Sequence, residues 1–178
     1  MEQMKTWKNP QTGRLVPIDE IREYVRLKFK YENDELVRIR NGRKEHNKHT
    51  KGYRVVTLCG CKVLLHHAVW LFHNEYLPEE VDHGDRNRDN NRIGNLRAST
   101  RSQNKRNKTK SVGKSSKYRG VSWATRRSKW VAEIRIDDNK RKYLGAHDSE
   151  TAAALAYNAA AIIYHGEFAH LNKIEEGI

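Results

Sequence analysis

Residues 79–104 read EEVDHGDRNRDNNRIGNLRASTRSQN, and no ordinary protein core has such a sequence. The stretch contains an adjacent Asp-His pair, five arginines and several asparagines. Its apolar residues are Val81, Ile93, Leu96 and Ala98. A few side chains must therefore anchor the segment while the others present oxygen and nitrogen ligands, an arrangement that suits metal-assisted chemistry on a phosphodiester.

The pattern inside this stretch predicts a strand, a return strand and a helix. Residues 81–83 are short and extended, and residues 96–99 are predicted to return as a second strand. Thr100 with Gln103 three residues later fits a capping box, so we expect a helix to begin at Arg101. The polar loop between the strands can satisfy its own backbone through Asn and Asp side chains.

This order would bring Asp82, His83 and Asn104 to one point. An isolated Asp-His pair in a loop is more often a hydrogen-bonded turn than a catalytic site. The spacing from this pair to Asn95 and Asn104 favours the catalytic interpretation. Asn87, Asn90 and Asn91, in contrast, are predicted to stabilise the loop.

Composition and charge limit the partners of the chain. Its 178 residues suffice for one domain or two small ones, and we favour two. The formal net charge of +13, from 35 Lys and Arg against 22 Asp and Glu, indicates a polyanion binder, usually of nucleic acid. A ribosomal-type or simply soluble basic protein is the alternative that charge alone leaves open.

No run of apolar residues approaches the length of a membrane span, and the first seven residues lack the apolar core of a signal peptide. We therefore expect a cytoplasmic protein that is neither secreted nor inserted in a membrane. Cys59 and Cys61 flank Gly60 in a predicted hairpin turn, which makes a poor disulfide. A zinc site with His66 and His67 would lack the second ligand pair of a zinc finger.

The segments before the central stretch are predicted to support it. A helix from residue 18 to about residue 26 would bury four residues, and two hairpins should follow, at 29–39 and 53–65. The basic loop at 40–51 between them fits either a phosphate contact or a solvated run of charge. A second helix is predicted to begin at His66 and to be ended by Leu77-Pro78. The four residues predicted to be buried in the first helix are Ile18, Ile21, Val25 and Leu27.

The C-terminal half begins with a basic segment and continues as a small sheet with one helix. Residues 105–117 contain six basic residues and no acid, which predicts a linker that lies along phosphates. Three strands are predicted at 118–123, 129–137 and 141–145, and an alanine-rich helix from about 149 to 164. The linker residues expected to contact DNA are Lys105, Arg106, Lys108 and Lys110.

Both halves resemble known families. The segments HHAVW (66–70), VDHGD (81–85), NRIGNLR (91–97) and SQN (102–104) resemble the HNH endonucleases of bacteriophages and their homing relatives, in the variant where Asn replaces the last His. The segments YRGV (118–121), WVAEIR (130–135), YLG (143–145) and AAALAY (152–157) resemble the AP2/ERF DNA-binding domain. The order of the two in one chain is characteristic of phage HNH proteins.

The first resemblance implies a nuclease with a ββα-metal core of the His-Me finger type. His83 would be the general base, and Asp82 with Asn104 would hold one divalent ion, Mg²⁺ with Mn²⁺ as a substitute. Asn95 and His66 would support the site structurally. His67 departs from the arginine common at its position.

The AP2 resemblance implies a three-stranded antiparallel sheet that is packed on one helix and reads DNA. Where plant members carry arginines on the first strand this chain has Ser122 and Ala124, so the target sequence does not transfer. Strand alternation independently places four of the implied contact residues away from the apolar face. The residues implied to contact DNA are Arg119, Gly120, Glu133, Arg135, Arg141 and Tyr143.

The sequence thus predicts an α+β protein with a nuclease domain at 1–104, a basic linker at 105–117 and an AP2-like domain at 118–178. We expect it to be a Mg²⁺-dependent endonuclease acting on double-stranded DNA. No small-molecule cofactor is expected, and the chain should be a monomer, with a dimer left open. The alternatives are an AP2-like DNA-binding regulator with an inactive HNH core, and an RNA-binding or structural basic protein.

Overall fold

A computed structural model of the chain describes residues 3–8, 15–44, 47–48, 52–58, 60–107, 115–137 and 140–174. The chain divides into two compact units, Met1–Arg101 and Ser102–Ile178. Each unit mixes helices with antiparallel strands around its own apolar core, which confirms the predicted combination of α and β structure. Residues 102–107 thus group with the second unit. The predicted linker lies in part outside the described residues.

The first unit consists of short antiparallel ribbons around two helices. Strands β1 and β9, β2 and β3, β4 and β5, and β10 and β11 form two-stranded sheets, while β6, β7 and β8 form a three-stranded one. The elements are β1 (Gln3–Met4), β2 (Thr6–Lys8), β3 (Leu15–Pro17), α1 (Ile18–Lys28), β4 (Phe29–Glu32), β5 (Glu35–Arg38), β6 (Asn47–Lys48), β7 (Arg54–Leu58), β8 (Cys61–Leu64), α2 (Leu65–His73), β9 (Leu77–Pro78), β10 (Glu80–His83) and β11 (Leu96–Ser99).

Helix α1 buries three of the four residues predicted from its sequence. Ile18, Ile21 and Val25 are buried, at helical spacings of three and four. Leu27 is 68% exposed, so its predicted burial is wrong. Two residues after Val25 the helix has turned by roughly 200°, which carries Leu27 to the opposite side.

Helix α2 and the core beneath it anchor the polar stretch. Ala68, Val69 and Leu71 on α2 are buried in the same apolar cluster as Val81 of β10 and Leu96 of β11. One apolar anchor on each strand fixes the ribbon to the core, as the sequence predicts. The remaining positions of the two strands can therefore carry polar groups.

The second unit is a three-stranded sheet packed on a long helix, as predicted. Its elements are α3 (Arg101–Asn107), which starts on the last residue of the first unit, β12 (Val121–Ala124), β13 (Lys129–Asp137), β14 (Lys140–His147) and α4 (Glu150–His165). The strands are antiparallel in the order β12-β13-β14.

Alanine lets α4 lie close to this sheet. Ala153, Tyr157 and Ala160 are buried against a sheet face whose central residues, Ala132 and Ile134, are 0% and 1% exposed. The helix begins where Ser149 Oγ accepts a hydrogen bond from the Ala152 amide at 3.0 Å, and the sequence predicts its start at about this residue.

None of the helices in the described part of the chain is long and apolar enough to cross a membrane. The longest, α4, has 16 residues.

Gly120 should be the least replaceable glycine of the second unit. Its φ is +72°, and an added Cβ would lie 2.1 Å from the Tyr157 ring and 2.6 Å from the Glu133 carbonyl oxygen. Gly166 also has a positive φ, +53°, but open space around it. Gly120→Ala should therefore lower the free energy of unfolding by at least ~2 kcal/mol more than Gly166→Ala, measured by denaturant unfolding. Equal losses would show that Tyr157 does not constrain this turn.

Candidate functional site

Asp82 and His83 end strand β10 as adjacent buried residues. Asp82 lies opposite Arg97 and His83 opposite Leu96 in the antiparallel pair with β11. Asp82 is only 6% exposed and His83 only 5%. Polar groups buried to this degree must be paired within the protein, since water no longer solvates them.

Arg97 satisfies the carboxylate of Asp82. Its Nε donates to Asp82 Oδ2 at 3.0 Å and its Nη2 to the same oxygen at 2.8 Å. Since these residues are cross-strand partners, the strand register itself delivers the arginine to the carboxylate. This ion pair offsets the cost of burying the Asp82 charge.

The imidazole of His83 is held by Asn91. His83 Nε2 lies 3.2 Å from Asn91 Oδ1, and Asn91 is itself buried. Burial lowers the pKa of His83 below its ordinary value, against the opposing effects of the Asn91 hydrogen bond and the Asp82 carboxylate. His83 is therefore neutral near pH 7 and can accept a proton.

Asn95 closes the loop between β10 and β11. Its Nδ2 donates to Asp85 Oδ1 at 2.9 Å and to the Asn90 carbonyl at 2.8 Å, while its Oδ1 accepts from the Asp85 amide at 3.0 Å. The Gly84 amide donates to the Asn95 carbonyl at 2.9 Å. Partial burial would raise the pKa of Asp85, but hydrogen bonds from Asn90 and its other neighbours hold that pKa below its usual value.

Two further contacts attach this loop to strand β7 and the residue before it. Arg54 Nε lies 3.0 Å from Asp89 Oδ1, and the Arg88 guanidinium lies 4.7 Å from the centre of the Tyr53 ring. The loop is thus fixed at its base by Asn95 and along its length by β7.

Three histidine rings meet beside the site. His66 on α2 lies 4.8 Å from the His83 ring and 4.5 Å from the His67 ring, between centroids. Burial, and then the neighbouring histidines, lower the pKa of His66 well below its ordinary value, and burial lowers that of His67 from 6.5 to about 4. Among the described residues, Nδ1 of each of these two has no hydrogen-bond partner.

The predicted metal ligands lie on different elements. Asp82 is on β10, and Asn104 is on α3, which begins at Arg101 as predicted. Because Asn104 belongs to the second unit, its grouping with Asp82 and His83 stays a prediction. Within the described ranges no group of three or more His, Cys, Asp or Glu could hold a metal ion. Cys61 is buried and free in β8, and Cys59 lies outside those ranges.

Four of the predicted DNA-contact residues lie on one face of the three-stranded sheet of the second unit, the face that is turned away from α4. Glu133 lies opposite Tyr143, and Arg135 opposite Arg141, on neighbouring strands β13 and β14. All four are exposed. Arg141 Nη1 is 3.9 Å from Glu133 Oε2, a loose ion pair that leaves its other donors available for phosphates or bases. We call these four residues the outer sheet face.

The other predicted DNA-contact residues are placed differently. Arg119 donates through Nη2 to the Lys105 carbonyl at 3.5 Å, and Arg106 Nη2 donates to the Ile136 carbonyl at 2.6 Å. Gly120 packs on Tyr157. Lys105 is exposed, whereas Lys108 and Lys110 lie outside the described residues.

Sequence reasoning did not identify Arg97 or the contact between Asn91 and His83. Both strands were predicted. Pairing them so that residue 82 lies opposite residue 97 would have identified Arg97 as the partner of Asp82. No local pattern distinguishes Asn91 from the neighbouring loop asparagines, whose side chains bond within the loop.

Two family models match the chain, one over the segment that contains Asp82 and His83 and one over the sheet and helix α4 of the second unit. Residues 63–106, from β8 through α3, match a model described as HNH endonuclease, and residues 116–167 match the AP2 domain. The chain therefore contains an HNH endonuclease domain and an AP2 DNA-binding domain, which confirms both resemblances.

The AP2 part is also similar to plant proteins. It is 43% identical over 61 residues to the AP2-like ethylene-responsive transcription factor TOE2 of Arabidopsis thaliana, covering 34% of this chain and 12% of that protein. It is 50% identical over 59 residues to the dehydration-responsive element-binding protein 2C of Arabidopsis thaliana, covering 33% and 17%. The chain thus spans a small part of these relatives. No solved structure matches it significantly.

The half-buried His67 should make the stability of the protein depend on pH. Its folded-state pKa is lowered to about 4, so the unfolded chain binds more protons and stability falls as the pH drops from about 6.5 towards 4. At about pH 5 this effect amounts to roughly 2 kcal/mol. Between about pH 7.5 and 5, the free energy of unfolding should fall less in His67→Leu than in the native protein, as measured by denaturant titrations.

His73→Leu is the matched control, because His73 is an exposed histidine on the same helix. It should retain most of the native pH dependence. An unchanged pH dependence in His67→Leu would contradict the assignment.

Proposed function

We propose that this protein is a Mg²⁺-dependent DNA endonuclease of the homing type, with a ββα-metal core in its HNH domain. The AP2 domain would supply affinity and site preference for duplex DNA. The observation that carries the proposal is the burial of Asp82 and His83 at the end of β10, inside the segment that matches HNH endonucleases. Each of the two side chains is oriented by its own hydrogen-bond partner.

His83 is the general base of the proposed reaction. Its ring nitrogen accepts a proton from a water molecule as the water oxygen bonds to the scissile phosphorus. The opposite phosphorus–oxygen ester bond then breaks, and the leaving oxygen takes a proton from solvent. Asn91 and the ring of His66 hold the imidazole in place during this transfer.

The donor set suits a hard divalent ion better than zinc. Mg²⁺ keeps several water ligands and needs only one or two protein oxygens beside the phosphate, so a site without three clustered His, Cys, Asp or Glu residues still fits it. Asp82 and Asn104 would hold this ion, with Mn²⁺ as a substitute. When bound, it would stabilise the negative charge that builds on the phosphate and the leaving oxygen.

Asn95 and Arg97 act as supports in this scheme. Asn95 fixes the loop that carries Asn91, and Arg97 orients the Asp82 carboxylate from the facing strand. Neither residue needs to touch DNA for its loss to displace the reacting groups.

DNA binding would come from the outer sheet face and from the basic excess of the chain. Arg135 and Arg141 lie side by side on that face, where guanidinium groups can pair with phosphates or guanine edges. A monomer with one metal site would cut one strand in each binding event.

One alternative function is DNA binding without cleavage. Several of the similar plant proteins, TOE2 among them, are named as transcription factors, which favours a DNA-binding regulator with an inactive HNH domain as the second candidate. Asp82 and His83 support the nuclease instead, because both are buried, each is oriented by its own partner, and both lie inside the segment that matches HNH endonucleases.

Replacing His83 should separate chemistry from binding. We expect His83→Ala to lower the rate of Mg²⁺-dependent cleavage about 10²- to 10⁴-fold, with DNA affinity changed less than about twofold. Rates on a labelled duplex and affinities without Mg²⁺ measure the two effects. His73→Ala is the control and should cleave normally. Cleavage by pure His83→Ala at the native rate would refute the assignment of the base.

Replacing the arginines of the outer sheet face should weaken DNA binding. Arg135→Ala with Arg141→Ala should lower affinity and reduce the slope of log affinity against log salt by about one or two if both contact phosphates. Lys173→Ala, which removes one positive charge at an exposed residue after α4, is the control for charge lost outside that face. A double variant that binds DNA as tightly as this control does would exclude the outer sheet face from the interface.

A further inference from the structure

The side chain of Asn91 has an orientation that its surroundings determine. Its Nδ2 donates to the Asp89 carbonyl at 3.1 Å and reaches the Arg88 carbonyl at 3.5 Å. Carbonyl oxygens only accept hydrogen bonds, so the amide nitrogen must be the atom that faces them. The amide oxygen is therefore the atom 3.2 Å from Nε2 of His83.

This orientation determines which nitrogen of His83 carries the proton. An amide oxygen can only accept, so Nε2 must donate a hydrogen to it. A neutral imidazole has one N–H, and the lone pair consequently lies on Nδ1. The same hydrogen bond persists when Nδ1 gains a proton, because both ring nitrogens of an imidazolium are donors.

We propose that Asn91 is a positioning residue that holds His83 in its Nε2–H tautomer, so that Nδ1 takes the proton from the attacking water. This role rests on the proposed nuclease function and goes beyond the loop-stabilising role that the sequence indicates for Asn91. As the water oxygen bonds to phosphorus, its proton moves to the Nδ1 lone pair. The resulting imidazolium still donates through Nε2 to Asn91.

The loop around Asn91 is built to keep this contact. The Asn91 amide donates to the Asp89 carbonyl at 3.2 Å, and Arg54 holds the Asp89 side chain at 3.0 Å. Asn91 also lines a cavity of about 430 Å³ beside Leu65 and Val69. A side chain of similar size can therefore replace it without overpacking the core.

Two substitutions separate the tautomer role from simple loop stabilisation. Asn91→Asp and Asn91→Leu both remove the two donations to the Arg88 and Asp89 carbonyls. Only aspartate keeps an oxygen that can accept from His83 Nε2. Loop stabilisation alone predicts equal effects of the two substitutions, whereas the tautomer role predicts different ones.

The test reads the tautomer directly by ¹⁵N NMR of the histidine-labelled full chain, without DNA or metal, at about pH 8 where imidazoles are neutral. His83→Gln identifies the His83 signals. We expect an Nε2-bound proton in the native protein and in Asn91→Asp, and a mixture of tautomers in Asn91→Leu. Single-turnover cleavage should fall about a hundredfold or more in Asn91→Leu and less than about tenfold in Asn91→Asp, at unchanged DNA affinity.

An Nδ1-bound proton in native His83 would overturn the proposal, as would equal losses of cleavage in the two variants. The spectra require no activity. A native chain that never cleaves DNA would therefore refute the proposed function, while the tautomer of His83 would still decide what Asn91 does.

Discussion

The antiparallel register between β10 and β11 is the constraint on which the HNH domain depends. It places Arg97 opposite Asp82 and Leu96 opposite His83, so one pair satisfies a buried charge while the other anchors the ribbon to the core. A shift by one residue would turn every side chain of the strand to the other face. The carboxylate would then lose its guanidinium, and the imidazole would leave the loop that orients it.

Burial of these polar groups is possible because each finds a partner in the loop or on the facing strand. Asn95 fixes the base of the loop through Asp85, and Asn91 reaches back to His83 from the same loop. The energetic cost of ordering so many amides is offset by hydrogen bonds that they make to backbone groups in a polar segment. The imidazole is thereby oriented before any DNA binds, which would lower the reorganisation required during the proposed proton transfer.

The sequence predicted most elements because local patterns determine them. Val81 and Leu96 are two of the few apolar residues in the polar stretch and anchor its strands, and α4 begins close to the predicted residue 149. The predicted first strand of the sheet began three residues too early, because Gly120 takes a positive φ that ends the turn just before β12. Asn91 could not be distinguished from its neighbours, since its contact with His83 depends on the path of the whole loop.

The central claim, that the chain is a nuclease whose HNH domain cuts the DNA to which the chain binds, is tested most directly on supercoiled DNA. The purified chain would be incubated with a supercoiled plasmid carrying its binding site, with Mg²⁺ or with a chelator, and the ends mapped on both strands. The account predicts open circles with a break at a defined position, in Mg²⁺ only. An intact plasmid at saturating protein with Mg²⁺ or Mn²⁺, or equal cutting in the chelator, would contradict it.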